Sequence, residues 1–379
     1  MSDLLTRDEI AQYLALLDKL PEDSPEVEKI NQLFQADKRE RCRQGFMPFV
    51  RQMWSAFIPG KHHQIMAEAF ERVARGELKR LIINMPPRHT KSEFASYLLP
   101  AWFLGKFPER KVIQTSHTAE LAVGFGRKVR NLVDSDVYKA IFPNVGLQAD
   151  SKAAGRWATN KGGDYFAIGI GGAVTGKGAD ILIIDDPHSE QEAALSETNP
   201  EVYDKTYEWY TSGPRQRLQP GGTIVIVMTR WAESDLTGRV LADAMKRSTG
   251  EDWDVIELPA ILPSGKPLWP EFWSLAELEA LKAAALLHDA VEDNGRQAVI
   301  MEFVDGKSLR ETLDKQGTLS LKLTVHIGLS VCAALEAAHR AGIIHRWAVL
   351  DFVLGHVVTS DVRLAGRGID EKAQEHDRF

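Results

Sequence analysis

The sequence predicts an α/β protein built on a mostly parallel sheet with helices on both faces, preceded by a helical N-terminal segment and followed by a discordant α+β C-terminal fragment. Three observations predict it. Short apolar runs recur at residues 81–85 (LIINM), 111–116 (KVIQTS), 165–170 (YFAIGI), 181–186 (ILIIDD) and 223–229 (TIVIVMT). Most are close to continuously apolar, as strands covered on both sides are, instead of alternating. Stretches of helical periodicity alternate with them, which is the pattern of a parallel sheet.

In chain order, residues 1–59 read as helical: Ile10, Tyr13, Leu14 and Leu17 recur at helical spacing, and Phe46, Phe49, Val50, Met53 and Trp54 repeat it. Residues 60–80 predict an amphipathic helix with Ile65, Met66, Phe70 and Val73 inward. The first strand runs into the turn PPRHTKS and then a helix, EFASYLLPAWFLG. The strand at 111–116 precedes the helix AELAVGFGRKVRNLV. The Gly-rich stretch at 171–178 lies between two strands and is read as a hairpin connection. A Pro-rich passage, LPAILPSGKPLWPEFW, leads to a helix that Ser274 caps well. The expected organisation is a helical segment at 1–59, a core domain at 60–245, a linker or subdomain at 246–284, a fragment of different character at 285–346 and an unassigned tail at 347–379.

The 379 residues are enough for two or three domains. Hydrophobic residues at 44% and charged residues at 26% are ordinary for a globular chain. Cys42 and Cys332 stand far apart and suggest neither a disulfide framework nor a zinc site, which fits a reducing compartment. The N-terminus lacks a signal-peptide pattern, and no apolar run approaches the ~20 residues of a membrane-spanning helix. The net charge of −7 gives no global support for nucleic-acid binding. Any grip on DNA must come from local patches such as Lys38, Arg39, Arg41 and Arg43, whose plain reading is a solvated helix face.

Two segments compete as a phosphate-binding loop. Residues 171–178 (GGAVTGKG) match the G-x-x-x-x-G-K-[ST] spelling more closely, but they lie between strands and end in Gly178, which has no hydroxyl. Residues 86–92 follow a strand, open a helix and end in Lys91-Ser92. The helix N-terminus offers free N–H groups and a positive dipole end to phosphate, the lysine reaches the β- and γ-phosphates, and the hydroxyl holds Mg²⁺. The loop contains no glycine, and Thr90 stands where one normally precedes the lysine. Its plain alternative is a Pro-stiffened turn with an exposed lysine.

ILIIDD is an apolar strand ending in two carboxylates, the arrangement of a Walker B strand. Asp185 would hold Mg²⁺, directly or through water, and Asp186 would polarise the attacking water as a general base. Phosphoryl transfer needs a phosphate cradle, a metal holder and a water-positioner, and these strand ends offer all of them. Thr229-Arg230, at the end of the next strand, can contact the γ-phosphate and report its loss. Gln64 can present a donor and an acceptor to an adenine edge; a surface glutamine is the plain alternative. Arg88 can act as an arginine finger or make a local salt bridge. His62, His63, His89, His117 and His188 show no metal-ligand spacing and read as structural or surface residues.

The segments FIPGKHHQIMAEAF, RLIINMPPRHTKSEFAS and QTSHTAELA, then GGAVTGKGADILIIDDPHS, VIVMTRWAESDLTGRV and LPAILPSGKPLWPEFWS, resemble in order and spacing the large terminase subunit of tailed bacteriophages over residues 40–283. The resemblance implies an additional-strand P-loop NTPase core that couples ATP hydrolysis to DNA translocation into a procapsid. It implies adenine contact at Gln64, phosphate contacts at Lys91 and Ser92, metal at Asp185, a catalytic carboxylate at Asp186 and a coupling motif near Thr229-Arg230. Family members often carry Glu as the catalytic acid, and Ala232 stands where a histidine is expected. The implied partners are double-stranded DNA, the phage portal protein, the small terminase subunit and further copies in a ring on the portal, in the cytoplasm of the bacterial host and without a membrane. The nuclease domain that follows in the family is not recognisable in residues 285–379, so nuclease activity is not expected.

From residue 285 the text resembles part of a serine/threonine protein kinase: a hinge-like passage, a long helix at 320–341, and Ile343-Ile344-His345-Arg346 like the start of a catalytic loop. Trp347 stands where that loop needs its aspartate. A fusion is the expected explanation. A non-catalytic kinase-like fragment and a helicase-like nucleic-acid ATPase are the alternative functional readings.

Overall fold

The structure, a computed structural model, describes residues 4–196, 199, 201–246, 252–285, 287–293 and 296–301. The helix expected at 320–341, the residues Ile343 to Trp347 and the tail at 347–379 lie outside the described residues. The chain divides into two compact units, Met1–Trp273 and Ser274–Phe379.

The first unit opens with α1 (Arg7–Leu17), α2 (Pro25–Gln44), α3 (Phe46–Met53) and α4 (Lys61–Arg75). A capping box between Thr6 and Glu9 starts α1; Ser24 caps α2, whose first residue is Pro25. The helix expected over 60–80 stops at Arg75, because Gly76 takes a left-handed conformation (φ 77°) that ends it. Met66, Phe70 and Val73 are buried as expected, but Ile65 is turned outward. Of the basic patch on α2, Arg41 bonds Asp37 and the Leu5 carbonyl, and Arg43 bonds Glu40 and the Ile141 carbonyl. Those two guanidinium groups are occupied in holding neighbouring segments onto α2.

An eight-stranded sheet follows, made of β1 (Arg80–Asn84), β2 (Lys111–Ser116), β3 (Leu147–Ala153), β4 (Arg156–Thr159), β5 (Asp164–Gly169), β6 (Ala179–Asp185), β7 (Leu218–Met228) and β8 (Asp254–Glu257). Its order is β3-β4-β5-β2-β6-β7-β1-β8. From β5 to β8 every neighbouring pair is parallel, and β3, β4 and β5 pair antiparallel at one end. The protein is therefore α/β with a mostly parallel sheet. Residues 254–257, within the expected linker, add the edge strand beside β1.

The central strands are apolar throughout because both faces are covered. Leu81, Ile83, Ile181, Ile183, Val225 and Val227 join a core with residues of α3, α4, α5 (Leu99–Lys106), α6 (Ala119–Asp134) and α7 (Asp136–Ile141). The alternate residues Ile82, Leu182, Ile184, Ile224 and Ile226 join a second core on the other face. After α8 (Glu190–Ser196), α9 (Val202–Ser212) supplies Tyr210 to that second core, and α10 (Leu236–Lys246) supplies Leu236 and Val240.

The hairpin expected at 171–178 is not one. β5 and β6 both run parallel to β2 and flank it, with Tyr165 and Ile181 partnering the same Val112. The connection is a short crossover over the second face, where Val174 is buried and the Gly172 carbonyl accepts a bond from Trp209 Nε1 at 2.8 Å. Glycine content signals tight turning but says nothing of which strand is inserted between. Parallel crossovers normally need a dozen or more residues and a helix.

In the second unit, α11 (Leu275–Ala285) starts at Ser274, whose backbone and side chain both bond Glu277. An antiparallel pair, β9 (Leu287–Asp293) and β10 (Arg296–Met301), follows. No helix among the described residues is long and apolar enough to cross a membrane.

Candidate nucleotide-binding site

β1, β7 and β6 are neighbours in the sheet and all parallel, so the segments leaving their C-terminal ends meet at one edge. This is the edge where open α/β sheets collect ligands. The loop after β1 carries Lys91 and Ser92, the end of β6 carries Asp185 and Asp186, and β7 runs into Thr229.

The loop after β1 is unusual in its backbone. Arg88 (φ 58°) and Thr90 (φ 68°) take left-handed conformations that glycine adopts without penalty. For a β-branched residue this is an outlier, costing on the order of 1–3 kcal/mol. The glycine absent from the sequence is therefore absent only as a residue type. His89 is buried between them, with Nδ1 at 2.8 Å from the Pro87 carbonyl.

Lys91 is 5% exposed, so the exposed lysine of a plain turn does not apply. Its Nζ lies 2.9 Å from Asp186 Oδ2 and donates to Thr229 Oγ1 at 3.1 Å. The Thr229 backbone N–H donates to Asp186 Oδ1 at 2.9 Å. Asp186 itself sits at φ 40° just past the end of β6. Ser92 Oγ donates to Asp185 Oδ1 at 2.9 Å, and Ser96 Oγ donates to Asp185 Oδ2 at 2.7 Å. Gln114 on β2 donates in turn to Ser96 Oγ at 2.9 Å. Asp185 is 1% exposed; burial first, and the neighbouring Asp186 charge second, push its carboxyl up to about 7. Solvated turn carboxylates would show neither burial nor that shift.

Ser92 and Asp185 offer hard oxygen donors side by side, which fits Mg²⁺, an ion that keeps several waters and takes one or two protein oxygens besides phosphate. Among the described residues no group of three or more His, Cys, Asp or Glu side chains is arranged to hold a metal. A metal here would complete its shell from water and phosphate oxygens.

No family model matches the chain. Its curated relatives include a probable serine/threonine-protein kinase of Bifidobacterium longum, 36% identical over 83 residues, which is 21% of this chain and 11% of the kinase. A probable serine/threonine-protein kinase of Clostridium perfringens is 44% identical over 48 residues, 13% of this chain and 7% of the kinase. The serine/threonine-protein kinase PknB of Mycobacterium tuberculosis is 35% identical over 88 residues, 20% of this chain and 14% of the kinase. Among solved structures, the large terminase of bacteriophage HK97 aligns over 63% of this chain and 46% of its own length, with TM-score 0.38 and 13% identity. The chain thus spans a small part of these kinases and under half of that terminase.

The remaining candidate residues stand outside the cluster. Gln64 is on the exposed side of α4 and bonds Glu68 at 3.1 Å. Arg88 is exposed, without a hydrogen bond or ion pair among the described residues. Arg230 turns from Thr229 to Asp235, at 2.8 Å from Nε to Oδ2. Asp235, fully buried, also accepts from the backbone N–H groups of Trp231, Ala232 and Gly238, so it fixes the segment that begins α10.

Of the histidines, His62, His63, His89 and His188 are buried and His117 half-buried. His188 Nε2 accepts the Leu236 N–H at 3.0 Å, tying the segment after β6 to α10. His63 reaches Thr90 of the loop, with 2.7 Å between Nε2 and Oγ1. Sequence reasoning missed His63, Ser96, Gln114 and Asp235. Ser96 had a readable signal, since a hydroxyl four residues after Ser92 shares its helix face; the others are joined to the site only by tertiary structure.

Proposed function

We propose that this chain is an ATP-hydrolysing motor of the DNA-packaging terminase kind, coupling hydrolysis to movement of double-stranded DNA into a procapsid. The observation that carries it is the meeting of Lys91, Ser92, Asp185, Asp186 and Thr229 at adjacent strand ends through contacts of 2.9–3.1 Å. The insertion of β7 between β1 and β6 supports the additional-strand P-loop type. The order of motifs over residues 40–283 supports the packaging role.

Lys91 would carry its charge to the β- and γ-phosphates, aided by the N–H groups of the loop. Ser92 and Asp185 would hold Mg²⁺, whose charge offsets that of the transferring phosphoryl group. Asp186 would orient and polarise the attacking water, and Thr229, which touches both Lys91 and Asp186, would sense the γ-phosphate. Gln64 and Arg88 would need to move or meet the nucleotide from outside the cluster to take the adenine and arginine-finger roles. Arg230 would pass the signal to α10 through Asp235. DNA, the portal, the small subunit and a ring of copies are the partners this function requires.

Steady-state ATP hydrolysis by the full chain tests this reading. Lys91→Ala should lower turnover by about 10²–10³-fold, the usual effect of deleting one group aimed at developing charge, and Asp185→Ala should do the same. Turnover unchanged in both would refute the site. A helicase-like ATPase predicts strand separation and no portal binding; a packaging motor predicts the reverse.

A further inference from the structure

We propose that His63 is a positioning residue for the phosphate loop: its imidazole holds Thr90 in the left-handed conformation that glycine would take unaided. This deepens the proposed nucleotide site and rests on that reading for its consequence in binding.

The hydrogen bonds have one consistent direction. The Gly60 backbone N–H donates to His63 Nδ1 at 2.8 Å, so the neutral ring carries its proton on Nε2. Nε2–H then donates to Thr90 Oγ1, and the Thr90 hydroxyl donates to the His89 carbonyl at 2.5 Å. The chain runs from the start of α4 into the residue immediately before Lys91. The ring cannot swing away. It stacks on Phe94 (centroids 4.8 Å apart, planes 27° apart) and meets Phe57 and Trp269 edge-on. His63 itself is fully buried. Trp269 comes from the segment after β8, so the loop is braced from both flanking segments of the unit.

Thr90 is the position where this brace matters. At φ 68° a β-branched residue resists the conformation it is in. Its carbonyl accepts from the Phe94 N–H at 3.1 Å, and its hydroxyl is the side-chain group that ties it to α4. A glycine at 90 needs no such hold, which makes the dependence of one residue on the other measurable.

The test is a cycle in the full chain. His63→Phe keeps a ring in the cluster and removes both hydrogen bonds, and Thr90→Gly removes the need for them. Two readouts are taken: affinity for a fluorescent ATP analogue with Mg²⁺, and amide hydrogen exchange of residues 88–92 without nucleotide. In the Thr90 background His63→Phe should weaken binding tenfold or more and speed exchange in the loop by a similar factor. In the Thr90→Gly background it should change either by less than threefold. Should His63→Phe fail to fold, Thr90→Val, which keeps the β-branch and loses the hydroxyl, should reproduce the loss, and Thr90→Ser should restore most of it. Equal losses in both backgrounds, or none in either, would overturn the proposal and leave His63 an ordinary core ring. A parent chain that binds no nucleotide would refute the proposed function, while the exchange arm would still decide the role of His63.

Discussion

The candidate site is held together by buried side chains behind it as well as by Lys91, Ser92, Asp185 and Asp186 themselves. Ser96 illustrates this. Its hydroxyl satisfies one oxygen of Asp185 and accepts from Gln114, both in a fully buried place. Ser96→Ala should destabilise the fold by about 1–3 kcal/mol, because a buried acceptor and a buried donor lose their partner together; urea unfolding measures it, and an unchanged midpoint would contradict the network. The histidines act on stability through pH. Burial first, and neighbouring histidine charges second, lower His62 to about 4 and His63 to about 3. Unfolded, each takes up a proton below about 6.5. The unfolded chain therefore binds more protons between those values, and stability falls as pH drops from 6.5, by up to about 1.4 kcal/mol per pH unit for each histidine. Melting temperature recorded from pH 7 to pH 4 should show this slope, and His62→Phe should flatten it.

Elements differ in how far their sequence betrays them. The central strands were legible because burial on both faces leaves an apolar run with one interpretation, as in Ile181 to Ile184. β3 and β4 were not, since Leu147–Ala153 is a largely polar edge strand and Arg156–Thr159 is only four residues long, with buried Trp157 and Thr159 alternating with Arg156 and Ala158. Strand order was illegible for a different reason. That β2 lies between β5 and β6 is a fact about pairing partners far apart in the chain, and the glycines of 171–178 fit a hairpin equally well. Lys91-Ser92 and Asp185-Asp186 could be picked out because each closes a strand, whereas His63 lies on a helix whose spacing gives it only an inward face. Close packing also places demands that no motif reveals. A Cβ on Gly126 of α6 would come within 2.6 Å of the Ala154 carbonyl in the turn between β3 and β4. Gly126→Ala should cost about 1–3 kcal/mol as overpacking does, read as a lower melting temperature.

For the whole molecule, the sheet, both of its cores and the candidate site belong to the unit Met1–Trp273. Residues 1–273 expressed alone should unfold cooperatively and hydrolyse ATP within about twofold of the full chain, since the eight-stranded sheet, both of its cores and the candidate site are made of that unit's own residues. Aggregation of that piece, or loss of its cooperative transition, would show that the division does not reflect folding. Within the unit, the contact between Lys91 and Asp186 has a logical consequence. The amine that would greet a phosphate is also the counter-charge of the carboxylate that would direct the water. Phosphate cannot draw the amine away without releasing that carboxylate in the same displacement, while Thr229 keeps hold of its other oxygen. In the proposed reading, loading and arming would then be one event, an interlock that ties the arrival of fuel to the release of the trigger.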